Sequence, residues 1–252
     1  MEQYPLFTVI NTFRKHKVRF LLMGGQACIF YGAAEFTRDS DFCILCRADN
    51  LDRLKASLSE LHAEQVFFPP LSLEYLEKGH ACHYVCESPG PAGFRIDVMG
   101  RMRNCPPFSE LWKARSIFAL TDKIKIPVMG LHHLVLAKKT QRDKDWPMVR
   151  RLIEADYAKR RKPDHETIMF WLKECRTPEI LHALAVRYPQ EFAEAKHSRA
   201  LLSLLNVKNE IEDTLEEALL EEEKIERRND KAYWAPLKEE LERMRHGRTK
   251  NS

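Results

Sequence analysis

Residues 21–44 read LLMGGQACIFYGAAEFTRDSDFCI. The apolar run Val18 to Met23 stops at Gly24-Gly25 and predicts a short buried strand. Gln26 to Ala34 predicts a short apolar helix, with Gly32 in its last turn. Asp39-Ser40-Asp41 then opens a second apolar strand, Phe42 to Cys46. On an extended segment, residues i and i+2 point the same way, so Asp39 and Asp41 share a face. Two carboxylates side by side repel unless a cation lies between them. Hard Mg²⁺ suits them, with oxygen ligands and substrate phosphates completing its shell.

A third carboxylate follows in FRIDVM, residues 94–99. There Phe94, Ile96 and Val98 face one way and Arg95, Asp97 and Met99 the other. A charge in mid-strand between apolar neighbours needs a partner. With this strand beside the one that follows Asp41, Asp39, Asp41 and Asp97 converge and can hold two metal ions. Such a pair stabilises both the attacking and the leaving oxygen of a phosphoryl displacement. Glycines at a helix start let a phosphate approach the backbone, and a helix N-terminus favours anions. Each feature alone has a plainer reading: glycine after a strand is a turn, and Asp before a strand is turn chemistry. Their order is what favours chemistry.

Further along, residues 4–16 predict a helix with Leu6, Val9, Ile10 and Phe13 on one face. Asn50 is placed to cap a helix running to His62. Val66 to Phe68, His80 to Cys86 and Phe94 to Met99 predict strands. Ile124 to Met129 predicts a last strand, at an edge or irregular because of Pro127. From Leu131 onward only helices are expected, with caps at Asp164 and Thr177. The expected fold is therefore α+β: a mixed β-sheet flanked by helices over residues 1–128, then a helical domain over 129–252.

The composition is that of a soluble globular chain: 44% hydrophobic, 31% charged, net charge +4. Lys138 to Lys162 carries ten Lys/Arg against four acids, and Asn209 to Arg228 nine acids against three Lys/Arg. The basic run could attract phosphates or be a solvated helix face, and the acidic one reads as a wet face or a partner surface. No apolar run is long enough for a membrane span, and the first residues lack a secretory pattern, so the expected location is the cytoplasm. Seven scattered cysteines fit buried thiols in a reducing compartment. Cys43-x-x-Cys46 and the group His80, Cys82, His83, Cys86 invite zinc. Strand geometry sends Cys43 and Cys46 to opposite faces, so core cysteines are the expectation.

The combination of Gly24, Gly25, Asp39, Asp41 and Asp97 resembles the nucleotidyltransferase fold superfamily, which holds polymerase-beta-like and aminoglycoside nucleotidyltransferases. GGQACIFYGAAEFTRDSDF is more specifically similar to AbiEii-type toxin nucleotidyltransferases, in which a Gly and a Thr precede the Asp pair; here these are Gly32 and Thr37. LHHLVLAKKTQRDKDW, residues 131–146, is similar to a Lys-then-Arg/Lys-Asp helix of that group, giving Lys139, Arg142 and Asp145. The resemblance covers residues 18–150. Glu35 stands where many such proteins have arginine.

The resemblance implies in-line attack of an acceptor hydroxyl on the α-phosphorus of a nucleoside triphosphate such as ATP, with Mg²⁺ held by Asp39, Asp41 and Asp97. It implies nucleotide contacts from Gly24, Gly25, Thr37, Lys139 and Arg142. The implied acceptor is RNA, tRNA included, or a protein hydroxyl, in a toxin or defence role with an antitoxin protein as partner. Two alternatives stay open: the same chemistry on a small molecule, as in antibiotic-inactivating enzymes, and a non-catalytic binding module on the same scaffold.

Overall fold

The computed structural model describes residues 4–34, 37, 39–121, 124–205 and 213–249. Glu35 lies outside them, as does Ile211, the first residue of the apolar stripe that the sequence suggests for the acidic helix with Leu215, Ala218, Leu219 and Ile225. The chain divides into two compact units.

The first unit is built on a seven-stranded mixed sheet. In chain order it holds α1 (Pro5–Lys15), β1 (Phe20–Met23), α2 (Gly24–Tyr31), β2 (Asp39–Ile44), α3 (Ala48–Glu60), β3 (Ala63–Gln65) and α4 (Leu73–Lys78). There follow β4 (Ala81–Cys86), β5 (Arg95–Met99), α5 (Phe108–Lys113), β6 (Ser116–Thr121), β7 (Ile124–Val128) and α6 (Leu131–Lys138). The strand order is β3-β4-β5-β2-β1-β7-β6. β2 runs antiparallel to β1 and parallel to β5. This mixed sheet with flanking helices, followed by helices, is the architecture expected from the sequence.

One sheet face is packed. Ser40, Phe42, Ile96, Val98, Cys82, Tyr84 and Cys86 are buried, while Asp39, Asp41, Arg95, Asp97 and His83 between them are half-buried. The apolar stripe of α1 is buried as its spacing requires. Its Phe13 ring meets Phe20 and Phe42 at centroid distances of 5.4 and 5.1 Å. A fully buried side chain of this size contributes about 1.5–3 kcal/mol, so this cluster fixes which faces of β1 and β2 turn inward.

Four local expectations change. Asn50 is no cap: α3 begins at Ala48, and the buried Asn50 amide joins two chain segments. Its Oδ1 accepts from Arg19 N at 2.7 Å, and its Nδ2 donates to Arg19 O and Leu45 O at 3.1 and 2.9 Å. The strand expected at Val66–Phe68 lies at Ala63–Gln65. β7 is an inner strand between β1 and β6, despite Pro127. The edge is β6, which the sequence did not suggest because it lacks a fully buried face; its Ile117 is 51% exposed.

The second unit is helical: α7 (Trp146–Lys159), α8 (His165–Glu174), α9 (Pro178–Arg187), α10 (Pro189–Lys196) and the first part of α11 (Asp213–Thr249). Asp164 caps α8, accepting from Thr167 N at 2.9 Å. Thr177 precedes α9 but turns its hydroxyl to Glu154 Oε1 at 2.6 Å. Trp171 is fully buried.

The first unit takes in two segments beyond residue 128. α6 up to Ala137 and the part of α11 from Ala232 onward belong with the sheet. α6 buries Leu134 and Val135 there. In α11, Glu240 accepts from Lys78 Nζ at 2.7 Å and pairs with the buried His80 Nε2 at 2.8 Å.

Candidate active site

The sheet register sets the site. Asp41 lies opposite Asp97 and Asp39 opposite Arg95 in the parallel pair β2–β5. In the antiparallel pair β4–β5, His83 lies opposite Asp97. Met23, Asp41, Asp97 and His83 thus form one row across β1, β2, β5 and β4. Strand alternation puts Asp39 on the same face as Asp41. The register brings the three aspartates of the sequence motif onto neighbouring positions of one face.

The two glycines each make room for a side chain of the downstream stretch. A Cβ on Gly24 would stand 1.8 Å from Asp41 Oδ2, and the residue has φ +66°. A Cβ on Gly25 would stand 2.9 Å from Thr37 Oγ1. Thr37 in turn donates its hydroxyl to Asp39 O at 3.4 Å and accepts, through its own carbonyl, from Gln26 Nε2 at 3.4 Å. Gly-Gly, Thr37 and the Asp pair are therefore one packed unit at the start of α2, where backbone N–H groups have no partner within the helix.

The carboxylates have protein partners. Asp97 Oδ1 bonds His83 Nδ1 at 2.8 Å, and Asp39 Oδ1 lies 3.6 Å from Arg95 Nε. Among the described residues, no group of three or more His, Cys, Asp or Glu side chains is gathered closely enough to hold a metal ion. The donor chemistry nonetheless suits a hard divalent cation. The motif offers carboxylate oxygens only, and the notch kept open at Gly24 is where Asp41 presents its Oδ2.

The other sequence candidates sit in the helical unit, each with partners there. Lys139 Nζ pairs with Glu174 Oε2 at 2.9 Å and Glu226 Oε1 at 3.3 Å, and its side chain is 12% exposed. Arg142 Nε donates to Asp145 Oδ2 at 2.8 Å. Asp145 does not cap α7. It is fully buried and also accepts from Lys138 Nζ at 2.8 Å and Thr140 Oγ1 at 2.6 Å. Burial alone would raise its carboxyl pKa, but Lys138, Thr140 and Arg142 outweigh this and hold it below the ordinary aspartate value. Part of the basic run is paired within this unit: Arg150 with Glu154 and Arg160 with Asp156, while Asp143 of the same stretch pairs with Arg227. The acidic run supplies several partners in this unit. Glu226 holds Lys139 of the basic run, Glu222 holds Arg176 and Arg199 further along, and Asp230, just past the acidic run, accepts from Gln141 N at 2.8 Å.

Comparison with known proteins gives a partial likeness. No protein-family model and no curated protein matches the sequence. Among solved structures, the chain is similar to the lincosamide antibiotic adenylyltransferase LnuA in its lincomycin-bound form. Identity is 16%, with 59% of this chain and 94% of that one covered at a TM-score of 0.42. It is also similar to the antibiotic-resistance factor ANT(2'')-Ia, at 9% identity over 77% of this chain and 95% of that one, with a TM-score of 0.37. A candidate nucleotidyltransferase from Thermotoga maritima gives 18% identity over 50% and 75%, with a TM-score of 0.36. These values mark a partial likeness of chain path.

Among the described residues, the histidines and cysteines that invited zinc are not gathered into one cluster. His80 and His83 bond Glu240 and Asp97, while Cys43, Cys82 and Cys86 are buried. Burial pushes the Cys82 thiol up to about 12 and that of Cys86 up to about 11, as for thiols packed in a core. His83 was the residue of the site that the sequence reading missed. Its signal was present in the alternation of ACHYVC, residues 81–86, with cysteine, tyrosine and cysteine inward and His83 opposite. Connecting it to Asp97 needed the strand pairing.

Proposed function

We propose that the chain is a Mg²⁺-dependent nucleotidyltransferase that moves a nucleoside monophosphate from a nucleoside triphosphate to a hydroxyl acceptor. The observation that carries this reading is the register Asp41↔Asp97 beside Gly24. It aligns carboxylates from two parallel strands next to a glycine-built helix start. Asp39, Asp41 and Asp97 would hold the cation, which neutralises phosphate charge and polarises the attacked phosphorus.

The chain's own groups have assignable tasks. N–H groups at Gly24 and Gly25 receive the triphosphate, aided by the positive end of α2. Thr37 braces the turn that carries Asp39. Asp97, on the far side of β2 from Gly24, would complete the cation site as the acceptor oxygen attacks the α-phosphorus and pyrophosphate leaves, and would accept the hydroxyl proton only through the oxygen not held by His83. Arg95 is charge-matched to the phosphates once Asp39 turns from it to a cation.

The acceptor is the open part of the reading. RNA, including tRNA, and protein hydroxyls agree with the sequence resemblance to toxin nucleotidyltransferases, as does an antitoxin partner. The ion pairs of Lys138, Lys139, Arg142 and Arg150 weaken the lean towards nucleic acid drawn from the basic run, and a small-molecule acceptor stands as the second reading.

Titration calorimetry with ATP in Mg²⁺ tests the core of the proposal. Wild type is expected to bind. Asp39→Asn and Asp41→Asn are each expected to weaken binding by at least about a hundredfold, and wild type without Mg²⁺ to bind no better than they do. Absence of Mg²⁺-dependent binding of any nucleoside triphosphate by wild type would end the reading. Incubation with α-labelled triphosphates and, in turn, total RNA, cell protein and hydroxylated small molecules then assigns the acceptor by where the label goes.

A further inference from the structure

We infer that His83 is a positioning residue for Asp97, holding one carboxylate oxygen so that the other is presented to a cation beside Asp41. The inference rests on the proposed role of Asp41 and Asp97 as cation ligands. Register places His83 and Asp41 on opposite flanks of Asp97. The bond from His83 Nδ1 to Asp97 Oδ1 is 2.8 Å. An ionised carboxylate only accepts, so Nδ1 carries the hydrogen, and the ring is thereby fixed in one tautomer. A carboxylate pinned at one oxygen loses rotational freedom about its side chain. The entropy of ordering it is then met by the fold instead of by the cation.

His83 is itself braced. The Phe67 ring meets the imidazole edge to face, with centroids 5.9 Å apart and planes at 80°. Phe67 is 51% exposed, which is unusual for a side chain so apolar. It is not on a loose segment. Gln65 Nε2 donates to Phe67 O at 2.8 Å and Pro69 O at 2.5 Å, and Val66 N donates to His83 O at 3.0 Å. Gln65 pins the turn, the turn seats Phe67, Phe67 limits His83, and His83 holds Asp97. A surface ion pair with no further role would not need that support.

The experiment uses Mn²⁺ alone as probe, read by loss of the free-ion spin-resonance signal, on the full chain. His83→Leu removes the donor and is expected to weaken Mn²⁺ binding by about tenfold, the usual effect of losing a group that orients a ligand. His83→Asn, whose amide can still donate, is expected to recover most of that loss. Phe67→Ala keeps the donor, frees the ring and lies outside the core; a weakening of about threefold is expected. Melting midpoints in chelator separate these effects from a merely structural role, and all three variants should match wild type there. Mn²⁺ binding by His83→Leu as tight as wild type or tighter, with binding lost in Asp41→Asn, overturns the role of His83 and leaves the proposed function standing. No Mn²⁺ binding by wild type removes the cation site and this inference with it.

Discussion

Gly24→Ala is expected to lower the thermal midpoint by at least about 5 °C and to abolish nucleotide binding with it. Two costs coincide at this position. An L-residue at φ +66° is strained by about 1–2 kcal/mol. The new Cβ would also stand 1.8, 2.5 and 2.8 Å from three atoms of the Asp41 side chain, and relieving such crowding costs about another 1–3 kcal/mol. The sum, about 2–5 kcal/mol, corresponds to several degrees in a chain of this size. Gly93→Ala is the control. Its φ is +78°, yet nothing lies within 4 Å of the added carbon, so it carries the backbone cost alone. Calorimetric melts of both variants separate the terms. Equal midpoints for the two would show that Asp41 does not occupy the notch at Gly24.

The second large effect belongs to the helical unit. Asp145→Ala is expected to destabilise the protein by about 3–5 kcal/mol, because it leaves a nearly buried Lys138 without its carboxylate. Urea titration at pH 7 measures this as a lower midpoint. The effect has a pH signature. The Asp145 carboxyl is held below its ordinary value in the folded protein, so the unfolded chain takes up a proton first as pH falls. Its contribution is complete above about pH 3.9, the ordinary aspartate value, and is lost as pH drops through the lower folded value. The difference in stability between wild type and Asp145→Ala should therefore be constant from pH 7 to 5 and shrink towards pH 3. A difference that persisted at pH 3 would mean that packing, not charge, accounts for it.

The elements nearest the carboxylates were the most legible in the sequence, and for a physical reason. A buried strand, a glycine break and an alternating strand leave local signals in composition, and β1, α2, β2 and β5 all carry them. What strand pairing decides stayed hidden. Asp97 could be assigned to a strand by its neighbours, but its place opposite Asp41 depends on residues more than fifty positions apart. His83 became part of the site only through the same register. β6 escaped notice because its burial alternates between half-buried and exposed, without a clear apolar side. Asn50 was read as a cap because caps are where Asn is most favourable, whereas here tertiary contacts to Arg19 and Leu45 claim its amide. Lys139 and Arg142 looked available for phosphates because a sequence shows charge without showing its neutralisation.

That last point reaches beyond the two residues. Lys139, Arg176 and Arg199 take carboxylate partners from α11, at Glu226 and Glu222. Charges far apart along the chain are thus paired only by folding. A fragment ending before residue 213 would leave Arg176 and Arg199 without Glu222, and Lys139 without Glu226. Two nearly buried guanidinium groups without their carboxylate are costly, so such a fragment is expected to lose stability in its helical part.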